Sequence, residues 1–247
     1  EDPPELPVAH LVRLARLFGI SENRARVALS RMVAAGEATT DGAGRYRLAG
    51  RLLDRQERQL AGLSGWDGPW DGGWWFLVVR AVGRSAEERS GRRARLAGAR
   101  FAECREGVWA RPDNLPVPAA VAGDPDLLVL RAEPSGDGRR LAADLWDLDG
   151  WATKAEELRR RLEATPTLGP DDLAPGFVLS AAVVRHLVGD PLLPADLLPA
   201  RWPGGSLRRT YDGWDRRYRD VLRAWGRAQE DGRGGDAPAT RASPATA

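Results

Sequence analysis

Asn23, Arg26 and Ser30 recur at spacings of three and four residues, so on a helix they share one side. A carboxamide, a guanidinium and a hydroxyl are groups that hydrogen-bond to base edges in a DNA groove. Arg24 and Arg31 flank that side, placed to reach phosphate oxygens. Ser21 stands just before them, where its side-chain oxygen can accept an orphan N–H of the first helical turn. Arg45 and Arg47 alternate along a short stretch and would point at a backbone or minor groove. These eight residues are the candidate DNA contacts. Other reactive chemistry is sparse. The only histidines are His10 and His186, both on expected helices and expected to be packed or solvent-facing. Cys104 is the only cysteine, expected to be a small buried apolar residue inside a strand. A single cysteine excludes an intramolecular disulfide and a multi-cysteine metal site, and fits a reducing cytosol. No Gly-rich phosphate loop with a following Lys-Ser or Lys-Thr pair is present. The expectation is a protein without catalytic residues, metal or cofactor, not an enzyme, and cytoplasmic.

The elements that must hold the candidate contacts follow from the same stretch. Residues 20–36 read as a helix with Ala25, Ala28, Leu29 and Met32 on the stripe opposite the polar side. Gly36 is a natural stop, because glycine enters the left-handed cap conformation without a Cβ clash. Leu11, Leu14 and Phe18 share a face of a preceding helix, with Pro7 in its first turn. Phe18-Gly19-Ile20 then forms a tight corner, with Ile20 expected as a buried plug. Short strands at 38–40 and 45–48, around the turn signal Asp41-Gly42-Ala43-Gly44, would form a wing. Helix, Gly-containing turn, helix and hairpin make residues 1–49 a winged helix-turn-helix. The plain alternative is a helical hairpin on a small sheet with a solvated arginine face.

The net charge of the 247 residues is only +2, so the whole molecule is not a basic glove. Residues 6–60 nevertheless hold ten arginines against five carboxylates, and local charge steers association more than the total. Lys154 is the sole lysine, a sign of GC-rich coding that discounts raw arginine counts. No apolar run approaches membrane-spanning length, and the opening Glu-Asp-Pro-Pro-Glu does not read as a signal peptide.

Farther along, 50–73 reads as a linker helix and a Gly/Trp-rich linker. Residues 74–134 read as a β-α-β-β-α-β, ferredoxin-like domain, an open sheet with helices on one face, with Ser85 and Glu88 at capping-box spacing. Residues 135–230 read as a helical C-terminal domain with helices near 148–164, 175–189 and 207–229. Residues 231–247 read as a disordered tail. The fold class is therefore α+β. The tryptophans are assigned to cores and interfaces.

Three blocks carry a resemblance: RVALSRMVAAGE from Arg26, FAECREGVWARPDNL from Phe101 and DPLLPADLLPARWPGG from Asp190. Together, in this order, they resemble the phenylacetic-acid repressor family, the PaaX-like regulators. The resemblance implies a winged helix-turn-helix, a ferredoxin-like middle and a helical C-terminal domain. It further implies a homodimeric bacterial regulator of operator DNA, usually a repressor of a catabolic operon such as that for phenylacetate, released by an acyl-CoA thioester. The arginine-rich stretch with Arg84, Arg89, Arg92, Arg93 and Arg95 could screen such a ligand's charges, or be a solvated helix face. The middle domain also resembles small CRISPR-adaptation nucleases, which would make the chain a metal-dependent nuclease. Here the end of the first strand reads Val78-Val79-Arg80 and lacks the carboxylate that such chemistry needs. A scaffold that has lost operator binding is the third reading.

Overall fold

The computed structural model describes residues 5–80, 85–165 and 168–230. The expected tail 231–247, and Arg84, lie outside the described residues. The chain begins with β1 (Leu6–Pro7), α1 (Val8–Arg16), α2 (Glu22–Ala34), β2 (Ala38–Thr40), β3 (Arg45–Leu48) and α3 (Gly50–Ser64). It continues with β4 (Trp74–Val79), α4 (Ala86–Gly98), β5 (Ala102–Arg105), β6 (Val108–Pro112), α5 (Ala119–Ala122) and β7 (Leu127–Ala132). The C-terminal part is helical: α6 (Gly138–Leu145), α7 (Leu148–Glu163), α8 (Leu173–Val188) and α9 (Gly204–Glu230). Two compact units divide the residues. One comprises the described residues within 5–57, 161–181 and 210–230, the other those within 58–160 and 182–209.

In the first unit α1 packs on α2, and β1, β3 and β2 form an antiparallel sheet in that order. Thr39 pairs with Arg47 and Leu6 with Tyr46, so β3 is the centre of the sheet. Pro7 is the cap residue of α1 and lies on an edge strand, where its missing N–H costs no ladder bond. Gly36 ends α2 with φ +68°, as the left-handed stop requires. Gly50 approaches it so closely that a Cβ there would sit 2.6 Å from the Gly36 carbonyl oxygen. Tyr211, Trp214 and Tyr218 form the buried stripe of α9 in this unit. The Trp214 and Tyr218 rings stack at 5.1 Å, and Tyr218 donates its hydroxyl proton to the Leu173 carbonyl.

The second unit is built on a four-stranded antiparallel sheet, order β5-β6-β4-β7. Alternation along β4 sends Leu77 to one face and Trp74 to the other. Leu77, Trp109 and Leu127 pack with Leu96 of α4, Phe101 and Val121. Trp74 and Ala110 pack with Ala142 of α6, Leu148 of α7, Leu193 and Leu197. Both sheet faces are thus covered, not one as expected, because α6, a helix not expected from the sequence, packs on the second face with α7, Leu193 and Leu197. The capping box is present: Ser85 Oγ accepts from Glu88 N, and Glu88 accepts from Ser85 N. Asp190 is buried at 1% exposure. Its carboxylate accepts from Leu192 N at 2.8 Å and from Arg208 at 2.8 Å, and Arg208 also donates to the Gly62 carbonyl. Arg100 donates to the carbonyl oxygens of Val188 and Asp190. His186 is packed: Trp151 stacks on its ring at 4.4 Å, and burial pushes its pKa down.

Four further expectations are corrected. Ile20 is not a plug, and Phe18 does not join the α1 core; each is 41% exposed. Both follow the end of α1, where the helical period no longer sets side-chain direction, and Phe18 meets Phe177 edge-on at 5.1 Å. Ala28 is exposed; the buried stripe of α2 centres on Ala25, with Leu29 and Met32 half-buried. Cys104 is exposed on an edge strand, where the register shifts between Glu103 and Arg105. That bulge takes the residue out of the regular alternation.

Asp190→Ala would leave the Arg208 charge partly buried and unpaired. The expected loss of stability is about 3–5 kcal/mol. Denaturant unfolding checks it, with Asp212→Ala, from the exposed Asp212–Arg216 pair, expected to stay near wild type.

Candidate nucleic-acid interface

The side chains named from the sequence come together on α2 and the β2–β3 hairpin. Ser21 caps α2 in extended conformation, its hydroxyl oxygen accepting from Arg24 N at 3.5 Å. Asn23, Arg24, Arg26, Ser30 and Arg31 are all exposed, because Ala25, Leu29 and Met32 turn the opposite side inward. Ser30 donates its hydroxyl proton to the Arg26 carbonyl one turn back, which fixes its rotamer and leaves the oxygen's lone pairs outward.

The arginines divide into two groups by partner. Arg26 bonds Glu22 through Nε at 2.9 Å, one turn away on the same helix, and Arg16 of α1 bonds the other oxygen of Glu22 at 3.1 Å. The hydrogen bond from Arg26 holds the Glu22 carboxyl below its usual range. Arg45 and Arg47 both bond Glu5, at 3.3 and 2.7 Å. Arg24 and Arg31 make no ion pair, and the Asn23 amide makes no hydrogen bond, with any described residue. The hairpin turn is held by Asp41, whose Oδ1 accepts from Arg45 N and Ala43 N. These bonds, the one from Arg45 first, lower its pKa. Glu22 was legible as an i, i+4 partner of Arg26. Glu5 was not, since only the pairing of β1 with β3 brings it beside Arg45 and Arg47.

On α4, Arg92, Arg93 and Arg95 pair with Asp126, Glu103 and Asp124. Among the described residues no group of three or more His, Cys, Asp or Glu side chains could hold a metal ion. No helix among them is long and apolar enough to cross a membrane.

Two family models match the chain. The PaaX-like protein model covers residues 1–52, and the PaaX-like protein C-terminal domain model covers residues 146–228. A solved structure, the uncharacterized protein Rv0674 from Mycobacterium tuberculosis, is 39% identical over 87% of this chain and 91% of its own, with a TM-score of 0.66. The chain belongs to the PaaX-like family. Members of this family are transcriptional regulators rather than enzymes. No curated protein matches the chain.

If α2 meets DNA, Glu22→Gln releases Arg16 and Arg26 and removes a negative charge from the helix's first turn. Affinity for any duplex should rise, with a salt dependence steeper by about one phosphate contact. The helix should lose about 0.3–1 kcal/mol of dipole stabilisation. Duplex titrations at several salt concentrations, paired with thermal unfolding, check both.

Proposed function

We propose that this PaaX-like protein is a sequence-specific, cytoplasmic repressor that binds duplex operator DNA as a homodimer. The observation that carries the reading is the outward side of α2, where the Asn23 amide and the Arg24 and Arg31 guanidiniums stand exposed with no partner among the described residues. A folded surface that keeps such groups unpaired is suited to an anionic, hydrogen-bonding partner. The order α1, α2, β2, β3 supports a winged helix-turn-helix, with α2 as the recognition helix and the β2–β3 hairpin as the wing. The strand order β5-β6-β4-β7 supports a ferredoxin-like middle part. The domain division at 1–49, 50–73, 74–134 and 135–230 belongs to this reading.

Asn23, Arg26 and Ser30 take the base edges. Arg24, Arg31, Arg45 and Arg47 take phosphates or the minor groove, and Ser21 orders the first turn. Arg26, Arg45 and Arg47 exchange a carboxylate for DNA on binding. Arg24 and Arg31 have none to give up among the described residues. An acyl-CoA thioester, of phenylacetate or a related acid, binds outside the winged helix and lowers operator affinity. That part rests on the family.

Selection from a random duplex library followed by gel shift tests the reading, and failure to enrich any sequence overturns it. Asn23→Ala should relax one base-pair position by about 1–3 kcal/mol. Arg31→Ala should weaken all duplexes alike and flatten the salt dependence by about one phosphate contact. Equal loss of specificity in both variants would contradict this division of roles. In a separate titration of the protein–operator complex, the correct thioester should weaken operator binding roughly 5- to 150-fold. No response to any thioester would remove the effector from the reading.

A further inference from the structure

Val27 has no role among the contacts above, yet it is at the centre of the outward side of α2 and is 43% exposed. It is two residues from both Ala25 and Leu29, about 200° around the helix from each, so it points directly away from the α1–α2 contact. Asn23 and Arg31 lie one turn on either side of it, with Arg24 and Ser30 three residues away in each direction. The apolar side chain is therefore ringed by the polar groups that face solvent. A singly exposed valine is ordinary on a protein surface. Its position here gives it a specific reach, because the most outward residue of a helix lying in a groove stands nearest the groove floor.

We propose that Val27 reads a thymine by packing its methyl groups against the thymine C5-methyl in the major groove. The inference rests on the DNA-binding reading and adds a base that hydrogen bonding from α2 does not specify. A C5-methyl is the one apolar feature a base pair presents in the major groove, and cytosine lacks it. A protein partner docked on the same face would desolvate Arg24 and Arg31 and must bring carboxylates to them. A duplex supplies that countercharge on both sides of Val27 through its phosphates.

The test uses the full chain and the sequence it selects. Each thymine of the selected site is replaced in turn by uracil, which deletes only the methyl group. For the unaltered protein one thymine per half-site should be sensitive, losing about fourfold in affinity, the cost of one buried methyl. Val27→Ala should lose a similar factor on the thymine site and be indifferent to uracil there, the non-additivity of two groups in contact. Alanine at an exposed helix position favours the helix, so the variant folds, and circular dichroism checks that it does. If uracil is tolerated at every position, or Val27→Ala keeps the full uracil penalty, Val27 does not read a methyl although DNA binding stands. If the unaltered chain enriches no sequence, the DNA-binding reading falls and this inference with it.

Discussion

A buried carboxylate organises the larger half of the folded chain. Asp190 sits where the end of α8, the proline-rich segment before α9 and the start of α9 converge. Taking an ionised carboxylate out of water is costly unless every lone pair finds a donor and the charge finds a partner. Here one oxygen accepts from Leu192 N and the other from Arg208, which also closes on the Gly62 carbonyl at the end of α3. Arg100, at the turn between α4 and β5, donates to the carbonyls beside it. Residues far apart in sequence are joined by hydrogen bonds that apolar packing alone would not orient. Gly204 is part of the same constraint, since a Cβ there would sit 2.5 Å from Trp202 Nε1.

A second buried charge, this one a cation, steadies the sheet. Arg111 is 3% exposed, lies over the Phe101 ring at 4.8 Å, and donates to the Ala99 and Leu115 carbonyls. Burial lowers its pKa to about 10, so it stays charged at neutral pH. Asp190 and Arg111 lie in two of the sequence blocks that carry the family resemblance, and in both the charged residue satisfies backbone groups. The third block has the opposite physics. There Arg26 and Arg31 stay exposed, and α2 is stable because Ala25, Leu29 and Met32 bury its other side. An interface for DNA needs that asymmetry, with enough apolar stripe to hold the helix and enough unpaired polarity to leave something for a partner.

Local rules made much of this legible in advance. The capping box at Ser85 and Glu88, the cap at Ser21, the left-handed stop at Gly36 and the strands at 38–40 and 45–48 depend on a few neighbouring residues, and they are as expected. So is the burial of Trp74 and Trp214, since the tryptophans were assigned to cores and interfaces. The exposed side of α2 was legible for the same reason, because one amphipathic helix defines its own inside and outside.

What the amino-acid sequence determined by itself was the identity of the elements, the polar side of α2 and the family, all encoded over short spans. Tertiary structure decided which arginines find carboxylates distant in sequence. Glu5 reaches Arg45 and Arg47 only because β1 lies beside β3, and Glu22 bridges α1 and α2 only because the corner at Gly19 sets their approach. It also decided that Ile20 and Phe18 stay partly exposed, with Phe18 against Phe177, that Cys104 leaves the ladder at a bulge and that Asp190 is buried. Each depends on residues distant in sequence, whose proximity no local period encodes.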